Sequence, residues 1–194
     1  ILINNNTMKN GLYPLPYFDT YLLVTGIGKV NAASRLAYVL ATQPVDTIYN
    51  IGFAGATTPF QIADVVLIEE ACYHDFDLTL FGQQKGQVPG CPPRFSSDLN
   101  LIKDVKAKIK NLKTGQLYTG DKFMTEVIET SFLADMEGTS LFQVAFQHQK
   151  PIISIKIVSD IIGSNDHINT YKAFESSIGS SLLKQVLDHV FKGE

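Results

Sequence analysis

The chain carries 194 residues, 45% hydrophobic and 18% charged, a globular balance at a length that can bury a core without disulfide or metal staples. A net charge of −3 and a pI near 5.8 give no electrostatic footprint for nucleic acid. No apolar run is long enough to cross a bilayer, and no basic segment followed by an apolar one marks a secretory leader.

Residues 1–19, rich in Asn, Pro and Gly, read as loop or edge structure. Tyr21–Val24 reads as a short buried strand feeding the Gly26-Ile27-Gly28 turn. Val30, Ala33, Leu36, Ala37 and Leu40 then share a helical face, and Pro44 ends that helix. Asp46–Ile51 is a second strand running into Gly52-Phe53-Ala54-Gly55, and Val65–Ile68 a third. A long loop follows from Tyr73 to Pro93. Ser96 or Ser97 is expected to cap a helix with Leu101, Ile102, Val105 and Ile109 on its face. Gly115–Tyr118 reads as a strand ending at Gly120-Asp121, and Gly138–His148 as a helix. Ile152–Val158 reads as a central strand covered on both faces, interrupted only by Lys156. A last helix, about Tyr171 to Phe191, has Phe174, Ile178, Leu182, Val186 and Val190 as its buried stripe. Alternating strands and helices predict one α/β domain over 1–194 around a mostly parallel sheet.

Such sheets bind ligands at the carboxyl ends of their strands. Three strand ends qualify here: Gly26–Lys29, Gly52–Gly55 and Ser159-Asp160. The glycine pairs alone are equally tight turns. They lack the third glycine of a dinucleotide fingerprint and the lysine of a phosphate loop. Asp160, after a buried strand, suits a general acid with a raised pKa, or else caps a following helix. Glu137, at a helix start, is either a ligand carboxylate or a partner for the helix dipole. Phe123 is either core or a stacking platform. His74, His148, His167 and His189 form no metal pattern; His148 and His189 suit helix carboxyl ends. Cys72 and Cys91 form no CxxC pair and read as reduced thiols of a cytoplasmic protein.

Taken together, TGIGKVNAA (25–33), NIGFAG (50–55), YHDFDLTLFGQQKGQVPGCP (73–92), TGDKFM (119–124), DMEGTSLFQVAF (135–146) and KIVSD (156–160) are specific. In this order and spacing they resemble the methylthioadenosine/S-adenosylhomocysteine nucleosidases of the purine nucleoside phosphorylase superfamily. The resemblance implies a three-layer α/β/α sandwich with a mostly parallel mixed sheet, a homodimer, and hydrolytic release of adenine without a cofactor or metal. It makes Asp160 the acid that protonates adenine N7 and Glu137 the carboxylate on the ribose hydroxyls, with Met136 under the ribose. Phe123 would stack on adenine and the Met124 backbone would bond its edge. Ser159, Ile27, Gly55 and Tyr171 would line the pocket. Phe81 and Pro89 would be lent across the dimer interface to the alkylthio tail.

Departures from the family are three. Phe53 replaces a small hydroxyl residue between glycines, and Lys156 stands where arginine is common near ribose and water; both are carried as substrate-side residues. The family's first strand and its water-activating glutamate have no counterpart in residues 1–19, and the chain starts at Ile1 rather than Met, so the chain is expected to be truncated at its N-terminus. An adenine-nucleoside-binding pseudoenzyme and a purine nucleoside phosphorylase are the alternatives. Only two arginines, Arg35 and Arg94, exist to fork a phosphate, and neither sits at a glycine turn or near Asp160 in sequence.

Overall fold

The computed structural model describes residues 12–192 other than 111 and 130; the reading of 1–11 as loop lies outside them. Its centre is a mixed six-stranded sheet in the order β5-β4-β6-β7-β3-β8. These strands span Phe95–Ser96 (β5), Val65–Tyr73 (β4), Lys113–Thr119 (β6), Phe132–Asp135 (β7), Ile48–Ala56 (β3) and Ile152–Ile161 (β8). The longest ladders, β3–β8 and β4–β6, are parallel. The sheet also curls back on itself, since β8 pairs with β4 in antiparallel fashion from Val65 opposite Ile157 to Ile68 opposite Ser154.

Two helical layers cover the sheet. On one face, Ala32 and Leu36 of α1 (Lys29–Thr42) and Leu141, Phe142, Val144 and Ala145 of α3 (Gly138–Gln147) join one buried cluster. On the other, Val105 of α2 (Leu99–Lys108) and Leu183, Val186 and Val190 of α5 (Ser180–Lys192) pack on Ile153, Ile155 and Ile157. Alternation along β8 thus sends Ile153, Ile155 and Ile157 one way and Ile152, Ser154 and Lys156 the other. The three-layer α/β/α arrangement expected from the sequence is the one observed.

Several local expectations change. Tyr21–Leu23 (β2) pairs not with the main sheet but with Leu12–Pro14 (β1), and its residues are exposed or half-buried. This hairpin is tied to α5 by the Tyr17 hydroxyl, which donates to Asp188 at 2.9 Å, and by Tyr17 stacking on Phe191. Val30 is exposed, and the buried face of α1 is Ala32, Leu36 and Val39. The cap of α2 is Asp98, whose carboxylate accepts the Asn100 and Leu101 N–H groups; Ser97 instead donates to the Ile68 carbonyl. Gly52–Gly55 is not a turn, because β3 runs through it. The last helix begins earlier, as α4 (His167–Phe174), and reaches α5 through a π turn over Glu175–Gly179. That wide turn rephases the helix. Ile178 is left 46% exposed, and the stripe runs Phe174, Leu183, Val186, Val190.

Candidate active site

Three strand ends converge because β3 and β7 cross. Their antiparallel contact covers only Gly55 opposite Ala134 and Ala56 opposite Leu133. Gly55 is paired on its other side with Asp160 of β8. The crossing therefore brings Asp160 to the end of β7, where Asp135 leads into Met136 and Glu137.

Asp160 is 2% exposed and does not cap a helix; Asp166 occupies the position before α4. Ser159 Oγ lies 2.7 Å from Asp160 Oδ1 and 3.1 Å from the Ala54 carbonyl, so its proton is shared between them. A Cβ on residue 55 would sit 2.9 Å from Asp160 Oδ2, so the carboxylate fills the space that glycine leaves.

Glu137 stands immediately before α3, but its side chain turns away from the helix and accepts the Gly28 N–H at 2.8 Å. Gly26 and Gly28 both have positive φ, 80° and 95°, and this backbone aims the amide at the carboxylate. Burial raises the Glu137 pKa above the ordinary carboxylate value. The Gly28 N–H opposes that rise, Asp135 adds to it, and Lys156 and the Met136 N–H also oppose it. The net direction is upward.

An aromatic pair flanks the carboxylates. The Phe123 and Tyr171 rings meet edge to face with centroids 6.0 Å apart. Burial, then Glu175, raises the Tyr171 hydroxyl pKa, with further contributions from the negative charges of Asp160 and Glu137. Met124 packs against Cys72, Tyr118, Phe132, Ala134 and Ile162. Met136 is half-buried and Ile27 is 74% exposed, beside the Gly28 turn.

Two expected substrate-side residues lie elsewhere. Phe53 is in the core on the opposite helical layer, edge-on to Phe174 with centroids 5.4 Å apart, because strand alternation points it under the C-terminal helix. Lys156 is 3% exposed and its ammonium lies 2.8 Å from Asp135 Oδ2, since a buried charge requires a partner. Asp135 also accepts the Thr119 hydroxyl and the Gly138 N–H, fixing the start of α3. Phe81, on a one-turn 3₁₀ helix over Thr79–Phe81, is 78% exposed, and Pro89 is exposed.

A polar clamp that the sequence reading passed over braces the Gly28 turn. Lys29 N–H donates to Asp121 Oδ1 at 2.9 Å. The Lys29 ammonium lies 2.6 and 2.8 Å from the two Asp75 oxygens, and Asp75 also accepts the Asp121 N–H. Burial acts to raise the Asp75 pKa, but the Lys29 ammonium, the Asp121 N–H and the His74 charge outweigh it and hold the carboxyl below its ordinary value. The available signal was that Lys29, Asp75 and Asp121 each adjoin a strand end within a matching stretch.

Both arginines are engaged away from Asp160. Arg35 donates to the Val24 carbonyl at 2.8 Å, and Arg94 to Gln116 and Tyr118 at 2.9 Å each. The site therefore brings together two carboxyl side chains and an aromatic pair. That set suits protonation of a heteroaromatic leaving group beside a polyol.

The chain matches the Phosphorylase superfamily over residues 19–191. It is similar to the 5′-methylthioadenosine/S-adenosylhomocysteine nucleosidase of Geobacillus sp. (strain WCH70), 36% identical over 78% of this chain and 72% of that protein. Among solved structures, a Borrelia burgdorferi protein bound to adenine superposes with a TM-score of 0.84 at 28% identity, covering 99% of this chain and 89% of the other. The Neisseria meningitidis nucleosidase in complex with methylthio-immucillin-A gives 0.81 at 28% identity over 90% and 81%.

Proposed function

The chain belongs to the phosphorylase superfamily and, within it, to the 5′-methylthioadenosine/S-adenosylhomocysteine nucleosidases, and from that premise we propose that it hydrolyses the N-glycosidic bond of these nucleosides to release adenine. The observation that carries the reading is the convergence of Asp160, on β8, and Glu137, between the end of β7 and α3, beside the Phe123–Tyr171 ring pair.

In this mechanism Asp160 donates a proton to adenine N7, turning a poor leaving group into a neutral base. A positioned acid of this kind contributes about 10²–10⁴ in rate. The bond to the ribose breaks with positive charge building on the sugar, as in glycoside cleavage generally, and water then adds to the anomeric carbon and releases a proton to solvent, leaving the free sugar. Glu137, held by the Gly28 N–H, binds the ribose hydroxyls and its negative charge stabilises that positive charge. Ser159 orients the acid. Phe123 stacks on adenine, the Met124 backbone meets the edge of the base, and Met136, Ile27, Gly55 and Tyr171 enclose the ribose. Lys156 acts from beneath, through Asp135 and the start of α3.

The protein works as a homodimer in the cytoplasm, with the exposed Phe81 and Pro89 of each subunit covering the alkylthio tail in the neighbouring site. Among the described residues no helix is long and apolar enough to cross a membrane.

Adenine release from methylthioadenosine, measured with and without inorganic phosphate, tests the reading. Release at equal rates in both supports hydrolysis. Release only with phosphate makes the protein a phosphorylase, and tight binding without release makes it a nucleoside-binding protein.

A further inference from the structure

Glu137 depends on a backbone amide for its orientation, and that amide sits in a turn of poor intrinsic stability. Two glycines within three residues give the Gly26–Gly28 segment a wide choice of backbone conformations. Gly28 also precedes α1 without a side chain to cap it. Asp121, from the loop after β6, supplies the missing acceptor to the Lys29 N–H at 2.9 Å. Its Oδ1 would lie 3.4 Å from a Cβ on residue 28, so it packs directly against the turn. Asp75, after β4, holds both partners at once through the Lys29 ammonium and the Asp121 N–H. Asp121 lies two residues before Phe123. One carboxylate thus joins the turn that aims Glu137 to the loop that carries Phe123 and Met124.

We infer that Asp121, backed by Asp75, is a positioning residue for Glu137 that sets the ribose-side carboxylate against the base-side loop. The inference rests on the assignment of Glu137 to the ribose and of Phe123 and Met124 to adenine. The Asp121 side chain is 50% exposed and its ammonium contact is 3.6 Å, and such ion pairs add little to folding. What Asp121 controls is where the Gly28 amide points.

The test measures affinity for methylthio-immucillin-A and for adenine alone by calorimetry, with thermal melting alongside. The proteins are wild type, Asp121→Ala, Asp121→Asn, Glu137→Gln and the double variant Asp121→Ala with Glu137→Gln. Asp121→Ala is expected to weaken the nucleoside analogue ~5–10-fold, the scale of one misplaced hydrogen bond, with adenine affinity and melting unchanged. Asp121→Asn keeps a carbonyl acceptor for the Lys29 N–H and recovers most of the loss. On the Glu137→Gln background the Asp121→Ala change costs nothing further, because the carboxylate it positions is gone. Additive losses from Asp121→Ala and Glu137→Gln overturn the positioning role, as does an equal loss of adenine affinity. If Glu137→Gln alone leaves analogue affinity intact, the ribose assignment fails and the inference falls with it.

Discussion

Gly55 and Asp160 face each other across a parallel ladder at the point where its register slips: Ala54 pairs with Val158 and Gly55 with Asp160, leaving Ser159 as the extra residue. The slip sets the acid beside a residue with no side chain. A methyl group there would meet Asp160 Oδ2 at 2.9 Å and Ile162 Cγ1 at 3.1 Å.

Gly55→Ala is therefore expected to displace the acid and lower adenine release by about 10²-fold, while Asp160→Asn lowers it by ~10²–10⁴-fold. Both variants should keep the wild-type circular dichroism spectrum. A Gly55→Ala protein with the full rate would separate the register slip from the chemistry.

The Phe123–Tyr171 contact predicts a graded loss of base binding. Phe123→Ala should weaken adenine by ~1–3 kcal/mol, the usual worth of one base stacked on one aromatic ring. Tyr171→Phe keeps the ring and should hold affinity near wild type, whereas Tyr171→Ala should not. Fluorescence titration with adenine gives all three values.

The Lys156–Asp135 pair, 4% and 2% exposed at the side chains, governs stability. Lys156→Met leaves an uncompensated buried carboxylate and should cost ~3–5 kcal/mol in urea unfolding. Adding Asp135→Asn to that variant should recover part of the loss. An isolated Lys156→Met cost below ~1 kcal/mol would mean that water reaches the pair.

His74 predicts an acid limb. Burial, the largest effect, and the charges of Lys29, Lys122 and Lys85 lower its pKa below 6.5, although Asp75 opposes them. Its Nε2 is buried without a hydrogen-bond partner among the described residues. In the depressed-pKa case the unfolded chain takes up the proton first. Stability is then fully present above about 6.5 and is lost as pH falls through the lower folded value. Denaturant unfolding from pH 8 to 5 should show this decline, and His74→Asn should flatten it.

The sequence made Asp160 and Glu137 legible because their neighbours fit a motif; what it could not give was the partner of each. Lys156 looked like a site residue because its partner, Asp135, is 21 residues away on another strand, and no local pattern encodes the crossing of β3 and β7 that brings β8 beside the end of β7. Phe53 looked like pocket lining because Gly52–Gly55 read as a turn. Once β3 runs through those glycines, alternation sends the ring to the opposite layer. β7 went unseen for a different reason: Phe132–Asp135 is four residues, too short for a period. The expected cap of α2, Ser96 or Ser97, gave way to Asp98 because Ser96 ends β5 and the Ser97 hydroxyl is taken by the Ile68 carbonyl. Ile178 was misplaced because the 3.6-residue period assumed an unbroken helix.

The π turn at Glu175–Gly179 is in effect one inserted residue that the helix has absorbed. Each residue advances an α-helix by about 100°, so the insertion acts as an angular offset between the half that docks on the sheet through Leu183, Val186 and Val190 and the half that carries Tyr171. Deleting one residue within the turn would leave the docking half seated and swing Tyr171 away from Phe123. Descent can thus remodel the wall of the pocket through chain length alone, with every residue that touches the ligand left unchanged.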